Sequence, residues 1–361
     1  MKLLFAIPSM AAGGAQRVLA NLAHALFDSG DEVIIVTFDG TNADFFELPA
    51  QVKRIRLGAN ATTKSIFGAL LNNGRQIKQM ARVLRQERPD VCVSFLSRMN
   101  VISVLACKRA GGTPCVITEH AAANLETHPV WRTLIRFSYS CAQKLVSVSQ
   151  GVDKDFSWLP DRQRAVIENL IETNSNLAEF RPEARHFLTM GRLSAEKNHL
   201  LLLDAFFEVQ LTHPDVMLTI LGDGPMRTLL EETVSARGMT GKVLLPGAAA
   251  QPFDRLKEAD IFVLSSDSEG FGNVIVEAMA TGLPVISTDC PHGPAEVVVP
   301  GTGVLVPMRD TAALSDAMRE LLADSSRRMQ LRTAGLQRSK VFGREAILPQ
   351  WRALFAQISA G

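Results

Sequence analysis

Ser265-Ser-Asp-Ser-Glu-Gly-Phe-Gly-Asn-Val-Ile-Val-Glu-Ala-Met-Ala-Thr-Gly-Leu-Pro284 is the stretch on which the fold turns. It follows Ala259-Asp-Ile-Phe-Val-Leu264, a short apolar run expected to form a buried parallel strand, and leads into Pro284-Val-Ile-Ser287, expected to form the next. Strand, Gly-rich turn, helix and strand make a βαβ unit. Gly270 and Gly272 let the backbone approach a ligand, and a helix starting near Asn273 leaves amides without intrahelical partners in its first turn. Such an end favours an anion, most readily a phosphate. Glu277 stands four residues past Asn273, on about the same face as those amides, where it can accept hydrogen bonds from vicinal sugar hydroxyls. Glu269, ahead of the helix, reaches the group on the other side of the phosphate. The pattern suits a nucleotide sugar; taken alone, the two carboxylates also fit an ordinary solvated loop and helix.

Working outward, the 361 residues allow two domains of ordinary size. Hydrophobic residues make up 47% and charged residues 21%, a globular composition. No apolar run is long enough for a membrane-spanning helix. Met1-Lys-Leu-Leu-Phe-Ala-Ile-Pro8 reads as a first strand, because its short apolar part runs into a Gly-rich turn instead of a cleavage site. Cys92, Cys107, Cys115, Cys141 and Cys290 are scattered with no Cys-x2-Cys pair, so reduced thiols are expected and a zinc site is not.

Net charge is +1, but residues 1–175 carry 20 Lys/Arg against 15 Asp/Glu, and the remainder carries 18 against 22. The excess lies in residues 51–88, where nine basic residues accompany only Glu87. If residues 64–88 form one helix, Ile66, Leu70, Ile77, Met80 and Leu84 share an arc of about 80°. Arg75, Lys78, Arg82 and Arg85 fall roughly opposite. Asn72-Asn-Gly74 is a candidate break. A basic face of this kind fits an ordinary surface helix, or a contact with an anionic membrane or a diphosphate lipid. No nucleic-acid partner is expected.

Further strands are expected at Lys2–Ile7, Glu32–Thr37, Asp90–Phe95, Pro114–Thr118, Lys144–Ser149 and Arg164–Glu168. After a polar linker from Asn169 to about Arg185, others follow at Phe187–Met190, Val216–Leu221, Lys242–Leu245 and Gly303–Val306, with a final helix over about 345–358. Gly13-Gly14 opens a helix after the first strand and is not the Gly-x-Gly-x-x-Gly dinucleotide fingerprint, which disfavours a dinucleotide dehydrogenase. His120 follows Glu119 just past a strand's carboxyl end, where ligands bind in open α/β sheets. His128 has no such support and reads as a loop residue. Asp153-Lys-Asp155 has the form of a metal-binding pair but falls inside an expected helix after Gly151, so solvated charges are expected and no metal ligands are assigned. Arg192 and Lys197, on the loop after Phe187–Met190, are cations able to meet a diphosphate. His292, in Asp289-Cys-Pro-His-Gly-Pro294, reads mainly as a turn residue.

Glu269-Gly-Phe-Gly-Asn-Val-Ile-Val-Glu277-Ala-Met-Ala-Thr-Gly-Leu-Pro-Val285 resembles the Glu-x7-Glu segment of the retaining glycosyltransferases of family 4. Gly191-Arg-Leu-Ser-Ala-Glu-Lys-Asn198 independently resembles that family's phosphate-binding loop, and Gly13-Gly14 its first loop. The resemblance implies an α/β GT-B fold, two Rossmann-like domains with parallel sheets facing an interdomain cleft. Its expected domains are an acceptor domain, 1–170 with helix 345–361, and a nucleotide-sugar domain, 171–344. It implies that Gly13, Gly14, Arg192, Lys197, Gly272, Asn273, Val274 and Glu277 hold the donor. His120, Glu269, Arg192 and Lys197 would act on the transferred sugar and its leaving phosphate.

The same resemblance implies retention of anomeric configuration, no divalent metal, and no cofactor beyond the nucleotide-sugar co-substrate. UDP-hexose or UDP-N-acetylhexosamine is the first expectation for the donor. A likeness of Ser9–Gln16 and Asp289–Pro294 to bacterial enzymes extending lipid-linked or envelope oligosaccharides implies a glycan or polyprenyl-diphosphate acceptor. The protein is then expected in the cytoplasm, peripheral to the inner membrane face through residues 51–88. A GT-B nucleotide-sugar epimerase and a non-catalytic nucleotide-sugar or membrane-binding protein are the competing classes. Product formed without acceptor would mark the first, and an incomplete set of cleft groups the second.

Overall fold

The structure, a computed structural model, describes residues 1–40, 44–58, 66–121, 129–172, 177–248 and 252–359. His128 and Lys64 lie outside them. The chain divides into two compact units, Met1–Leu170 with Arg344–Gly361, and Ile171–Gly343.

The first unit contains β1 (Lys2–Ala6), β2 (Glu32–Thr37), β3 (Lys53–Arg56), β4 (Val91–Phe95), β5 (Cys115–Glu119), β6 (Lys144–Ser147) and β7 (Arg164–Val166). Their order is β3-β2-β1-β4-β5-β6-β7, and every pairing is parallel. Each residue of β4 and of β5 is buried, the pattern expected of a strand covered by helices on both faces. Helix Gly14–Asp28 buries Val18, Leu19, Leu22, Ala25 and Leu26, which recur at helical spacing. The closing helix Arg344–Ser359 adds Ile347, Trp351, Leu354, Phe355 and Ile358 to the same core.

β3 is the strand that apolar patterning misses, since Lys53-Arg-Ile-Arg56 is mostly charged. It pairs on one side only, with β2, and an edge position leaves charged side chains access to water. Arg54 and Arg56 both pair with Asp44, and Lys53 with Glu87, so part of the basic excess in 51–88 is neutralised locally. Helix Ile66–Glu87 runs unbroken through Asn72-Asn-Gly74. Met80 and Leu84 are buried on it, while Arg75, Lys78, Arg82 and Arg85 are exposed.

Pairing of β4 with β5 sets Cys92 directly beside Cys115, and helix Ser97–Ala110, which links those strands, returns Cys107 to the same place. The three thiols hydrogen-bond to one another, which favours the charged form of Cys107 over that of Cys92 and Cys115.

The second unit contains β8 (His186–Met190), β9 (Met217–Leu221), β10 (Val243–Gly247), β11 (Ile261–Leu264), β12 (Val285–Thr288) and β13 (Val304–Val306). Their order is β10-β9-β8-β11-β12-β13, again wholly parallel. Both sheets therefore start in the middle and wind outward in two directions. Each has one place where neighbouring strands send their chains opposite ways, between β1 and β4 and between β8 and β11. Ligands in such sheets bind beyond the carboxyl ends of those strands. Among the described residues no helix is long and apolar enough to cross a membrane.

Candidate active site

In the second unit the loops leaving β8 and β11 carry the expected phosphate-binding residues. The loop after β8 lies against the turn after β9, with Gly191 N donating to Leu221 O at 2.9 Å and Leu193 N to Asp223 O at 2.9 Å. A Cβ on Gly222 would fall 1.8 Å from Gly191 O, and one on Gly224 2.4 Å from Leu193 O, so a side chain is excluded at both. The Gly-Asp-Gly-Pro turn thereby presses the Arg192 loop into shape, and Arg192 itself is exposed.

A short 3-10 turn, Ala195–Lys197, then leads to Asn198, whose φ of 45° and ψ of 47° are left-handed. Its Oδ1 accepts from Leu201 N at 3.3 Å and caps the next helix. Main-chain and side-chain bonds stitch this turn to the loop after β11. Asp267 N donates to Glu196 O at 2.8 Å, Asn198 Nδ2 to Asp267 Oδ1 at 3.1 Å, and Ser265 Oγ to Lys197 O at 3.1 Å. Lys197 Nζ consequently meets Glu269 Oε1 at 2.6 Å, an oxygen that also accepts from Ser266 Oγ at 2.6 Å. The Glu269 side chain is only 9% exposed and that of Lys197 22%, so the pair is largely withdrawn from solvent screening.

Helix Asn273–Thr281 begins at Gly272, left-handed at φ 89°, with no side-chain cap. Asn273 and Val274, in its first turn, are half-buried. Glu277 is 1% exposed, one turn further in. The turn holding His292 packs on this start, because residues 269 and 292 pair as a parallel bridge and His292 takes a φ of 77°. Gly293 is required sterically: a Cβ there would lie 2.3 Å from the Phe271 backbone. Cys290 also belongs to this neighbourhood. Burial, followed by the negative charge of Glu269, pushes its thiol up to about 12 and keeps it protonated. His199, buried directly after the Lys197 turn, is brought down to about 4 by burial and then by the Lys197 charge. Neither Cys290 nor His199 stands out in the sequence, where the first is a stray cysteine and the second the start of an apolar helix.

In the first unit Gly13 and Gly14 open helix Gly14–Asp28, which likewise lacks a side-chain cap. Neither glycine is left-handed, since Gly13 has φ 176°; a Cβ on it would meet only the Gln16 amide, the end of a flexible side chain. What the pair contributes is an approachable backbone. His120 follows β5 and stacks on Phe95 with centroids 5.1 Å apart and planes 19° from parallel. Part of the residue reaches the surface, yet the ring is packed densely enough that desolvation lowers it to about 4, and it is neutral at physiological pH. Its Nε2 lies 3.0 Å from Thr118 Oγ1, whose one proton is donated to Ser94 O at 3.0 Å. Nε2 must therefore carry the ring proton, which leaves Nδ1 as an acceptor.

Beside it Glu119 is 4% exposed and accepts from Ser97 Oγ at 3.1 Å, from Asn100 Nδ2 at 3.1 Å, and from the Tyr139 hydroxyl. Burial, then the Glu119 charge, raises the Tyr139 phenol well above its usual value, so it stays a donor. This network escapes a sequence reading because Asn100 and Tyr139 sit at ordinary helical positions. Asp153, of the Asp-x-Asp segment, is held by Arg164.

Two parallel-sheet Rossmann-like units, with glycine-opened helices and cations beyond the strand ends, define an α/β protein of the GT-B class. The chain matches the family profile "Glycosyl transferases group 1" over residues 171–338 and "Glycosyltransferase Family 4" over residues 12–175. It belongs to the glycosyltransferases of family 4. An uncharacterized glycosyltransferase of Methanocaldococcus jannaschii is 31% identical over 46% of this chain, and the match spans about half, 48%, of that relative's length. The GalNAc-alpha-(1->4)-GalNAc-alpha-(1->3)-diNAcBac-PP-undecaprenol alpha-1,4-N-acetyl-D-galactosaminyltransferase of Campylobacter jejuni is 27% identical over 99% of both chains. Among solved structures, HepE of Anabaena in complex with UDP and glucose superposes with a TM-score of 0.81 at 20% identity, covering 99% of each chain.

Proposed function

We propose that this glycosyltransferase moves a hexose or N-acetylhexosamine, with retention, from a UDP-sugar to a lipid-linked or envelope glycan, without a divalent metal. The observation that carries the reading is the placement of Lys197. Bonds between the loops after β8 and β11 hold it against Glu269, in the unit whose uncapped helix begins at Gly272. A cation and a helix start fixed in advance stabilise charge that develops on a departing diphosphate without reorganising as it forms. The glycosidic C–O bond to diphosphate breaks, a bond from the acceptor oxygen forms on the same face, and the departing phosphate oxygen takes the acceptor proton.

Arg192 adds a second cation, Glu277 accepts from the donor's vicinal hydroxyls, and Glu269 orients the sugar. Neutral His120 is suited to receive a sugar hydroxyl at Nδ1 and unsuited to act as a general acid. The UDP assignment draws support from the nucleotide in the HepE complex, and the acceptor class from the undecaprenol diphosphate in the Campylobacter relative's name.

A panel of nucleotide sugars scored by thermal shift tests the donor, since a ligand that binds only the folded state raises its apparent stability. UDP and its sugars are expected to stabilise most; equal shifts with GDP- or ADP-sugars, or none with any, would remove the UDP reading. Transfer assays with and without a polyprenyl-diphosphate glycan then separate a transferase from an epimerase.

We further propose that Arg75, Lys78, Arg82 and Arg85, exposed along helix Ile66–Glu87, hold the protein at the anionic inner face of the membrane. Each basic residue near such a surface contributes about 1 kcal/mol. Charge reversal at Arg75, Lys78 and Arg82 is expected to release the protein from anionic vesicles in a sedimentation assay. Unchanged co-sedimentation of the triple variant would end the membrane assignment.

A further inference from the structure

Cys92, Cys107 and Cys115 are separated by sequence and by secondary structure, yet their three sulfurs all lie within 4.8 Å of one another. They are 0%, 2% and 4% exposed, enclosed where helix Ser97–Ala110 packs on the paired strands β4 and β5. No His, Asp or Glu joins the group among the described residues. The donor set is thus three soft sulfurs and nothing hard, which selects a thiophilic centre over Mg²⁺ or Ca²⁺.

Charge decides among the thiophiles. Zn²⁺ on three thiolates leaves a net negative charge in a dry interior and lacks the fourth ligand of its tetrahedral sites. Cu⁺ on three thiolates leaves still more. Trivalent arsenic leaves none. Neutral As(OH)3 and three thiols condense so that three As–O and three S–H bonds break and three As–S bonds form. Three waters depart, with no electron transferred and no net charge created.

We propose that Cys92, Cys107 and Cys115 form a binding site for a neutral trivalent thiophile of the arsenite class. The route in lies at the start of β5. The C-terminal end of helix Ser97–Ala110 turns through Gly111 and Gly112, both left-handed and exposed, and a surface depression lined by Arg88, Ala110, Gly111, Gly112 and Thr113 opens there. Gly112 N donates to Cys107 O at 3.0 Å and Cys92 N to Pro114 O at 2.9 Å, so the segment beside the depression is bonded to the main chain of two of the three cysteines. The site stands at the amino ends of β4 and β5, the opposite end of those strands from His120.

The test titrates the full-length, reduced protein with sodium arsenite. The expected result is one arsenic per chain in the intact mass, replacing three hydrogens. In a brief alkylation pulse under denaturing conditions, Cys92, Cys107 and Cys115 should be protected together in the arsenite-treated protein and modified in an untreated control, while Cys141 and Cys290 are modified in both. Cys107→Ala should lose the adduct while keeping its circular dichroism. If that variant does not fold, the protection map of the unaltered chain decides alone. Absence of a one-to-one adduct, protection of Cys141 or Cys290 in place of the trio, or an adduct that survives in folded Cys107→Ala would overturn the proposal. So would equal one-to-one binding of Zn²⁺ by the same three thiols.

Discussion

Replacing Lys197 by alanine is expected to lower turnover on the preferred nucleotide sugar by about 10²–10³, the usual cost of removing one preorganised donor from developing charge. The structure explains why no neighbour would substitute. Lys197 is aimed by the carbonyl of its own residue, which accepts from Ser265 Oγ, and by the 3-10 turn that the bond from Asp267 N to Glu196 O anchors. Arg192, the other cation of this loop, is placed by Gly191 and the turn after β9, a separate set of contacts. The substitution also leaves Glu269 with Ser266 Oγ as its remaining partner among these loop contacts. A modest loss of thermal stability should therefore accompany the kinetic effect. Lys197→Met, which keeps the aliphatic stem, is the control that separates the lost charge from lost packing. Steady-state kinetics read the result: a kcat within a factor of two of the unaltered enzyme in both variants would remove Lys197 from the catalytic assignment.

Glu277→Ala should show the complementary pattern. In the proposed donor site this carboxylate, 1% exposed behind an uncapped helix start, accepts hydroxyls of the nucleotide sugar, and each hydrogen bond to a charged group is worth about 1.5–3 kcal/mol. Two such bonds correspond to a loss of about 10²-fold or more in nucleotide affinity. Titration calorimetry with the nucleotide product measures this without turnover. Glu277→Gln, which keeps one acceptor and nearly the same volume, is expected to fall between. Unchanged nucleotide affinity in Glu277→Ala would withdraw that residue from the donor site and leave Lys197 standing.

Most of the strand framework was visible as apolar runs, because a strand buried on both faces writes its burial into consecutive residues. The helix start at Gly272-Asn273 was visible too, since turn chemistry is carried by the few residues that make the turn. β3 was not, because an edge strand has no need of an apolar signature and Lys53-Arg-Ile-Arg56 has only one. The continuous helix Ile66–Glu87 overrode the break suggested by Asn72-Asn-Gly74, whose local preference is worth only about 1 kcal/mol.

What sequence alone determined, then, is the succession of strands and glycine turns, and hence the residues presented beyond the strand ends. Tertiary structure alone decided their partners. Lys197 meets Glu269, Gly293 must be bare because Phe271 crosses it, Asp44 pairs with both Arg54 and Arg56, and Cys107 joins Cys92 and Cys115. Periodicity and turn preference act over a few neighbouring residues, whereas these contacts depend on which strands lie side by side once the sheet winds outward from its middle. No local window of the chain contains that order.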